Sequence, residues 1–169
     1  MTQNDRLSSD PDSPLRVRLA TSADRPHLIL LINAAFSIET FLEGTRTDEE
    51  RLAAMMQKGA ILIAEDAAGQ LLGCVYTEVR GERGYLGQLA VDPAQQRKGL
   101  AVRLIAAAEE HLRRLGCEAV EITVLNLRPE LPPIYRRSGY VESGTEEAHL
   151  SRPLKPGVEC HFIVMSKQL

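Results

Sequence analysis

The stretch AVDPAQQRKGLAVRLIAAAEEHLRRLG, residues Ala90–Gly116, decides the fold of this chain. An apolar strand ends in VDP, the polar loop AQQRKG follows, and an alanine-rich helix begins at once. Leucines and alanines recur on one face of this helix, and the pairs Glu109–Arg113 and Glu110–Arg114 are predicted on its solvent face. The next segment, Glu118–Leu125, reads as a strand, so the helix is predicted to connect two parallel or nearly parallel strands.

The segments on both sides of this unit complete a single α/β domain with a mixed sheet. Alternating apolar and polar residues favour strands, and apolar residues at helical spacing behind an N-cap residue favour helices. Gly87, inside the strand before the helix, indicates a bulge or a close backbone approach. The predicted elements are strand Leu15–Thr21, a helix from Ser22 or Asp24 to Phe36, a helix from a Thr47–Glu50 capping box to Lys58, hairpin strands 60–66 and 70–80, strand Arg83–Asp92, a helix that Gly116 ends, strand Glu118–Leu125, a short helix 132–139, and a closing antiparallel pair at 140–147 and 158–168.

The composition is that of a globular protein, and it excludes several function classes. The 169 residues are 44% hydrophobic and 25% charged, which suits one domain with a sizeable core. A net charge of -3 provides no general basic surface, so neither nucleic acid nor an anionic membrane is an expected partner. No apolar run is long enough to span a membrane. Residues 1–14 lack a signal-peptide pattern and are predicted to be a disordered tail before a domain at 15–169.

The cysteines and histidines predict neither disulfides nor a metal site. The three cysteines, Cys74, Cys117 and Cys160, are odd in number and far apart, which fits a reducing cytoplasm better than a secreted disulfide framework. The histidines are scattered, and none has a second ligand at metal spacing. We therefore expect a cytoplasmic protein that binds no metal.

The loop before the long helix predicts a phosphorylated ligand. The first N–H groups of a helix lack intrahelical partners, and the helix dipole places partial positive charge there. Gly99 and Ala101 leave room for a ligand to reach this backbone, and Arg97 and Lys98 add positive charge beside it. The spacing does not fit a Walker loop or a dinucleotide fingerprint, because Gly99 is neither followed by Lys-Ser/Thr nor part of a glycine triplet.

Two motifs together resemble the GCN5-related N-acetyltransferase (GNAT) superfamily. Gln96, Gly99 and Ala101 occupy the positions of the family loop Q/R-x-x-G-x-G/A, and VLNLRPELPPIYRRSGY resembles the family's second motif, an Asn before a Tyr-containing helix that ends in GY or GF. The resemblance covers residues 88–140 by specific residues and nearly the whole domain by element order. It implies a mixed, mostly antiparallel sheet with one splayed parallel strand pair, flanked by about four helices.

The resemblance also implies acetyl-CoA as cosubstrate. The loop backbone would hold the pyrophosphate, the strand Leu89–Val91 would pair with the pantetheine arm, and Tyr135 would be the general acid that protonates the CoA thiolate. Asn126 matches the family Asn that contacts the cofactor, although it lies nine residues before Tyr135, two more than the family spacing. The implied cofactor-binding residues are Leu89, Ala90, Val91, Gln96, Arg97, Lys98, Gly99, Leu100, Ala101, Val102, Asn126 and Tyr135.

The general base is not evident from the sequence. A lysine-like acceptor amine costs about 4.6 kcal/mol to deprotonate at pH 7, whereas an α-amine costs about 1 kcal/mol, so only the first demands a base. The family often places a Glu on the strand before the loop, but here Tyr85 and Gln88 occupy that strand. The candidates that remain are Glu78 on the preceding strand, Glu39 or Glu43, His149, and a water relay to one of them.

The acceptor is expected to be the primary amine of a small molecule or peptide. Two segments without a recognisable motif, Phe36–Arg46 and Ala148–Gly157, are expected to shape its site. The sequence does not decide between a monomer and a homodimer. Acidic residues near these segments favour a cationic amine; they are Glu39, Glu43, Glu146 and Glu147.

Three functions fit the sequence. The first is acetyl transfer from acetyl-CoA to an amine by direct attack in a ternary complex. The second is a module that binds acyl-CoA as a sensor or structural ligand without turnover, which the missing strand carboxylate favours. The third is an unrelated phosphate-binding α/β protein, for which the IYRRSGY match would be coincidence.

Overall fold

Seven strands and four helices form the part of the chain that the computed structural model describes, residues 15–169. The tail predicted at residues 1–14 lies outside these described residues. None of the described helices is long and apolar enough to cross a membrane. The strands are β1 Arg16–Leu19, β2 Ala60–Glu65, β3 Leu71–Arg80, β4 Arg83–Val91, β5 Ala119–Leu125, β6 Val141–Glu147 and β7 His161–Gln168, and the helices are α1 Arg25–Ala35, α2 Glu49–Lys58, α3 Leu100–Arg114 and α4 Leu131–Arg137.

The strands form one mixed sheet in the order β1-β2-β3-β4-β5-β7-β6. Every neighbouring pair is antiparallel except β4 and β5, which are parallel and are connected through α3. This confirms the predicted mixed sheet, its single parallel pair and the closing antiparallel strands. A parallel pair needs a long crossover, and α3 supplies it.

The parallel pair separates after three residue pairs. Only Arg83, Gly84 and Tyr85 of β4 pair with β5, although β4 continues to Val91. Just beyond the last pair, two residues of β4, Gln88 and Leu89, lie opposite a single residue of β3, so β4 contains a bulge. A bulge bends its strand and increases the local twist. The irregularity predicted at Gly87 is therefore present one residue later, and it carries β4 away from β5.

Helices cover the sheet on both faces. The alternation of side chains along β2 shows the division: Leu62 and Ala64 join the core under α3, whereas Ile61 and Ile63 join the core under α1 and α2. All four side chains are buried, which is why β2 reads as a continuous apolar run. The sheet thus lies between α3 on one face and α1 and α2 on the other. Strand β4 contributes buried residues to the core on each face.

Two glycines let α3 approach the sheet closely. A Cβ on Gly84 would lie 2.6 Å from Cδ1 of Leu112, and a Cβ on Gly73 would lie 2.9 Å from both Cδ1 of Leu104 and the carbonyl oxygen of Ala90. Both leucines are fully buried, so their side chains have no free space to move into. These contacts fix the position of α3 against the strand that separates from β5.

Two local predictions are wrong, each because a tertiary partner takes the predicted group. The backbone of Thr47 is held by Asn33, whose amide exchanges hydrogen bonds of 2.9 and 3.0 Å with it, so Asp48 caps α2 instead by accepting from the N–H of Arg51. Glu109 is buried and pairs with Lys167 of β7 at 2.9 Å rather than with an arginine on the solvent face of α3. The predicted glycine stop after α3 is confirmed, with Gly116 at φ 89°.

Replacing Gly84 with alanine should destabilise the fold. The new methyl group would overlap the buried Leu112 side chain, and overpacking of this kind costs about 1–3 kcal/mol. Gly144→Ala on the exposed strand β6 is the matched control, because nothing lies within 4 Å of a Cβ there. Urea denaturation should give a lower midpoint for Gly84→Ala alone. Equal midpoints for the two variants would show that α3 is not tightly seated on β4.

Candidate active site

A cleft of about 1140 Å³ opens where β4 and β5 separate. Its walls come from β4, the loop 92–99, the N-terminus of α3, the carboxyl half of β5, α4, and the loops that follow α1 and β6. The predicted cofactor-binding residues that line it are Leu89, Val91, Gln96, Arg97, Gly99, Leu100, Ala101, Val102 and Tyr135. Ala90, Lys98 and Asn126 are outside this lining.

One wall of the cleft is the unpaired edge of β4. Beyond Tyr85 this edge pairs with no strand of residues 15–169, and Leu86–Leu89 and Val91 line the cleft. Ala90 is buried in the core under α1 and α2, outside the cleft lining. The open edge offers main-chain N–H and C=O groups to an extended ligand.

The loop between β4 and α3 presents the helix N-terminus to the cleft. Gly99 is the N-cap residue at φ 77°, and a Cβ there would meet nothing within 4 Å. Arg97 is also in the left-handed region, at φ 64°. The N–H groups at the start of α3 have no intrahelical acceptor and carry the positive end of the helix dipole. Lys98 extends outward, donating to Oε1 of Gln95 at 3.2 Å. The loop has the geometry of an anion site.

Tyr135 reaches the cleft from α4. Pro132 and Pro133 stand in the first turn of this short helix, where a missing N–H is tolerated. The Tyr135 ring packs edge-to-face against Tyr140, with centroids 5.8 Å apart. Burial raises the pKa of Tyr135, and nearby Tyr85 raises it further while Arg128 opposes the shift. Among the described residues its hydroxyl has no hydrogen-bond partner, so it stays protonated near neutral pH and is available to a ligand.

Asn126 is engaged within the sheet rather than in the cleft. Its Oδ1 accepts from the backbone N–H of His161 at 2.9 Å, and its own N–H donates to the His161 carbonyl at 3.0 Å. These two bonds extend the β5–β7 ladder by one residue. Asn126, which is two residues farther from Tyr135 than the family spacing, thus pairs through its side-chain oxygen with β7.

The candidate base Glu78 does not line the cleft. It accepts hydrogen bonds from Nε of Arg80 at 3.1 Å and from the hydroxyl of Tyr76 at 2.7 Å. The Arg80 hydrogen bond is the main cause that lowers the pKa of Glu78. A carboxylate held in its charged form by an arginine is a poor proton acceptor.

The other candidate bases lie in different surroundings. Glu43 is exposed and outside the cleft lining, whereas His149 is exposed and lines it. Glu39 also lines the cleft, but it is buried beneath three arginines. Its carboxylate lies 2.6 Å from Arg152, 3.1 Å from Arg128 and 3.7 Å from Arg46.

These three arginines, which we call the arginine cluster, were not among the predicted site residues. Arg46 follows α1, Arg128 follows β5 and Arg152 follows β6, and no local pattern connects such distant segments. Of the acidic residues that had favoured a cationic acceptor, Glu43 and Glu147 are outside the cleft lining. The acceptor end of the cleft is therefore more basic than the sequence indicated.

The two segments expected to shape the acceptor site form one wall. Leu42 and Leu154 make an antiparallel bridge, Glu43 donates from its N–H to the Pro153 carbonyl at 2.9 Å, and Lys155 donates to the Phe41 carbonyl at 3.0 Å. This short ladder joins 36–46 to 148–157 beside the arginine cluster. The prediction that both segments lie at one site is consistent with this contact.

Gln88, at the bulge of β4, is the second group whose role was missed. It is a non-glycine residue at φ 48°, a conformation that costs about 1–3 kcal/mol and clusters at functional sites. Its Oε1 accepts from Nε of Arg46 at 2.7 Å. Gln88 thus connects the open edge of β4 to the arginine cluster. No sequence pattern indicates that a glutamine will adopt a left-handed backbone conformation.

Comparison with known proteins agrees with this architecture. The model of the acetyltransferase (GNAT) domain matches residues 30–150. The chain is 31% identical over 141 residues to a mycothiol acetyltransferase of Propionibacterium freudenreichii subsp. shermanii, covering 79% of this chain and 44% of that protein. It is 35% identical over 112 residues to glucosamine 6-phosphate N-acetyltransferase 1 of Oryza sativa subsp. japonica, covering 62% of this chain and 66% of that protein.

Solved structures share the fold. A GNAT superfamily phosphinothricin acetyltransferase from Sinorhizobium meliloti, in complex with AcCoA, superposes with a TM-score of 0.75, covering 93% of this chain and 89% of that chain at 17% identity. At this identity the likeness is one of fold alone. The family model, by contrast, spans well over half of the sequence. By that match, and by the splayed strand pair with its loop and helix, the chain belongs to the GNAT acetyltransferase family.

Proposed function

We propose that this chain is an N-acetyltransferase that moves the acetyl group of acetyl-CoA to a primary amine by direct attack in a ternary complex. The observation that carries the proposal is one cleft that joins three features: an unpaired strand edge, an open helix N-terminus and a tyrosine hydroxyl without a protein partner. The curated relatives named above are acetyltransferases, but the chain spans only 44% and 66% of their lengths, so the activity is inferred from the site.

The cofactor groups match the two walls of the cleft. The pyrophosphate would accept from the backbone N–H groups of Arg97–Val102, with the Arg97 side chain and the α3 dipole adding positive potential. The pantetheine arm, which carries amide groups, would add as a strand to the open edge of β4. The AcCoA bound to the Sinorhizobium meliloti neighbour supports a cofactor of this kind on this fold.

The reaction would take place at the bulge of β4. A backbone N–H there would polarise the thioester carbonyl while the amine nitrogen forms its bond to the carbonyl carbon and the carbon–sulfur bond breaks. The Tyr135 hydroxyl would donate to the departing thiolate. Because burial raises the pKa of Tyr135, the hydroxyl is present as a hydrogen-bond donor throughout the physiological range.

Proton removal from the amine is assigned to solvent in the open cleft rather than to Glu78. Glu78 is outside the lining and paired with Arg80, and Glu39 is paired with the arginine cluster. Of the predicted bases, His149 alone is both exposed and on the lining, so it would relay the proton through water. An acceptor amine with a pKa near that of an α-amine does not require a stronger general base, because its deprotonation costs about 1 kcal/mol at pH 7.

The cysteines support a reducing, cytoplasmic location. Cys74, Cys117 and Cys160 are all free thiols. Burial raises the pKa of Cys74 to about 12, so this thiol is inert. Free thiols are typical of cytosolic proteins and unusual in secreted ones.

Release of free CoA thiol with a panel of primary amines tests the proposal, with mass spectrometry to detect the acetylated product. Amine-dependent thiol release together with a product heavier by one acetyl group supports a transferase. Saturable acetyl-CoA binding without transfer to any amine would instead support the alternative, a non-catalytic acyl-CoA-binding module, which the absence of a glutamate from β4 favours. Absence of binding would overturn both.

Gly99→Glu should weaken acetyl-CoA binding at least tenfold. The new carboxylate would occupy the open space at the helix N-terminus and repel the pyrophosphate. Gly99→Ala is the matched control, because it carries the same penalty for φ 77° without the charge. Calorimetric titration of both variants gives the comparison. If Glu and Ala at this position bind acetyl-CoA equally well, the pyrophosphate lies elsewhere.

Tyr135→Phe should lower kcat by about 100-fold while leaving the Kd for acetyl-CoA within about twofold. The substitution removes the hydroxyl and keeps the ring that packs on Tyr140. Tyr140→Phe is the control, since Tyr140 is buried and lies outside the cleft lining. Steady-state rates and calorimetry separate the two quantities. Equal losses of turnover and affinity would mean that Tyr135 has a structural role only.

A further inference from the structure

The arginine cluster brings an excess of positive charge to the acceptor end of the cleft. Among the described residues, the guanidinium groups of Arg46, Arg128 and Arg152 pair with two carboxylates: Glu39 contacts all three, and Glu130 pairs with Arg128 from the rim. The side chain of Glu39, at the centre of the cluster, is 3% exposed. Three guanidinium groups and two carboxylates leave this group with a net positive charge.

Two of these arginines retain hydrogen-bond donors. Arg46 donates from Nε to Gln88, and its Nη1 is 3.7 Å from Glu39, too far for a hydrogen bond. Arg128 donates from Nε to Glu130 and from Nη1 to Glu39. Within residues 15–169 the Nη2 groups of Arg46 and Arg128 have no hydrogen-bond acceptor. Both side chains line the cleft, so a ligand in the cleft is the acceptor that the geometry leaves room for.

The third arginine fixes the cluster from behind. Arg152 is buried and donates to Oε1 of Glu39 at 2.6 Å and to the Gly44 carbonyl at 3.4 Å. Its Nε is also buried and finds no hydrogen-bond partner among the described residues. Burial lowers the pKa of Arg46; Glu39 opposes the shift, while Arg152 and Arg128 add to it. Crowded cations of this kind are unfavourable unless an anion is supplied. A bound anion would relieve that repulsion.

The cluster is also placed next to the reacting group. Gln88, which holds Arg46, lies at the bulge of β4 where the thioester carbonyl would be bound. The guanidinium of Arg46 lies over the Phe36 ring, 4.5 Å from its centroid, and this cation–π contact helps to hold it in place. An anion on this fork would lie within one small molecule's length of the bulge.

We propose that Arg46 and Arg128 bind the anionic group, carboxylate or phosphate, of an acceptor whose amine is thereby directed to the acetyl group. This inference rests on the proposed transferase function and adds the class of acceptor: an anionic primary amine. Planar guanidinium forks match both carboxylate and phosphate oxygens, so the two anions share one recognition chemistry. An anionic acceptor is thus proposed in place of the cationic acceptor that the sequence favoured.

Two matched pairs of amines test the proposal and distinguish the anions. O-Phosphoserylglycinamide is compared with serylglycinamide, and glycylglycine with glycylglycinamide, as α-amine acceptors with saturating acetyl-CoA. In wild type, the anionic member of at least one pair should have a kcat/KM at least tenfold higher. In Arg46→Gln or Arg128→Gln that preference should fall to within about twofold through a higher KM, because a charge-assisted contact to the acceptor is lost.

Arg18→Gln is the control for loss of a half-buried arginine. Arg18 has a side chain 23% exposed, against 25% for Arg46, and its ion pairs with Asp24 and Glu65 lie outside the cleft. This variant should keep the wild-type preference for the anionic amine. Equal use of both members of each pair by wild type, or a preference that survives in both cluster variants, would overturn the proposal while leaving the transferase function intact.

A binding measurement keeps the two proposals separable. Inorganic phosphate should raise the Tm of the CoA-saturated wild type and of Arg18→Gln, but not of Arg46→Gln or Arg128→Gln. If no amine is acetylated yet the cluster variants lose this phosphate response, the anion site stands and the transferase function fails. If the cluster variants respond to phosphate as wild type does, the anion site is wrong.

Discussion

The separation of β4 and β5 after three residue pairs is the constraint on which the rest of the structure depends. Parallel strands joined by a crossover helix normally stay paired, yet here the bulge at Gln88 and Leu89 turns β4 away. The result is a sheet whose centre, rather than its rim, has an open edge. An open edge is a liability in a monomer, and a ligand that pairs with it removes the liability.

Packing holds this opening in place. Close approach at Gly84 of β4 and Gly73 of β3 seats α3 on the sheet, and the same helix then presents its N-terminus at the end of the gap. The loop with Gly99 at φ 77° and Arg97 at φ 64° is therefore positioned by the core beneath it. Strand edge and helix N-terminus lie in one cleft because one crossover unit builds both.

The elements that could be predicted are those with local signals. Strand alternation, helical spacing and the glycine stops predicted the element order, because each depends on neighbours in the chain. Anion binding by the Gln96–Ala101 loop rests on a local motif in the same way and stays a prediction. Wrong or missing predictions involve distant partners: Asn33 holds the backbone of Thr47, and Lys167 pairs with Glu109. The arginine cluster is the clearest case, since Glu39 meets arginines from separate loops. An acidic residue that looks solvated in sequence is there the centre of a basic site.

Amide hydrogen exchange with and without saturating acetyl-CoA tests the central claim, that this opening is the cofactor site, most directly. Binding through the main chain should slow exchange in residues 86–91 and 97–102, where the backbone is open in the free protein. The β1–β2 pair should be unchanged, because none of its residues lines the cleft. Acetyl-CoA binding that leaves both segments unprotected would contradict the account.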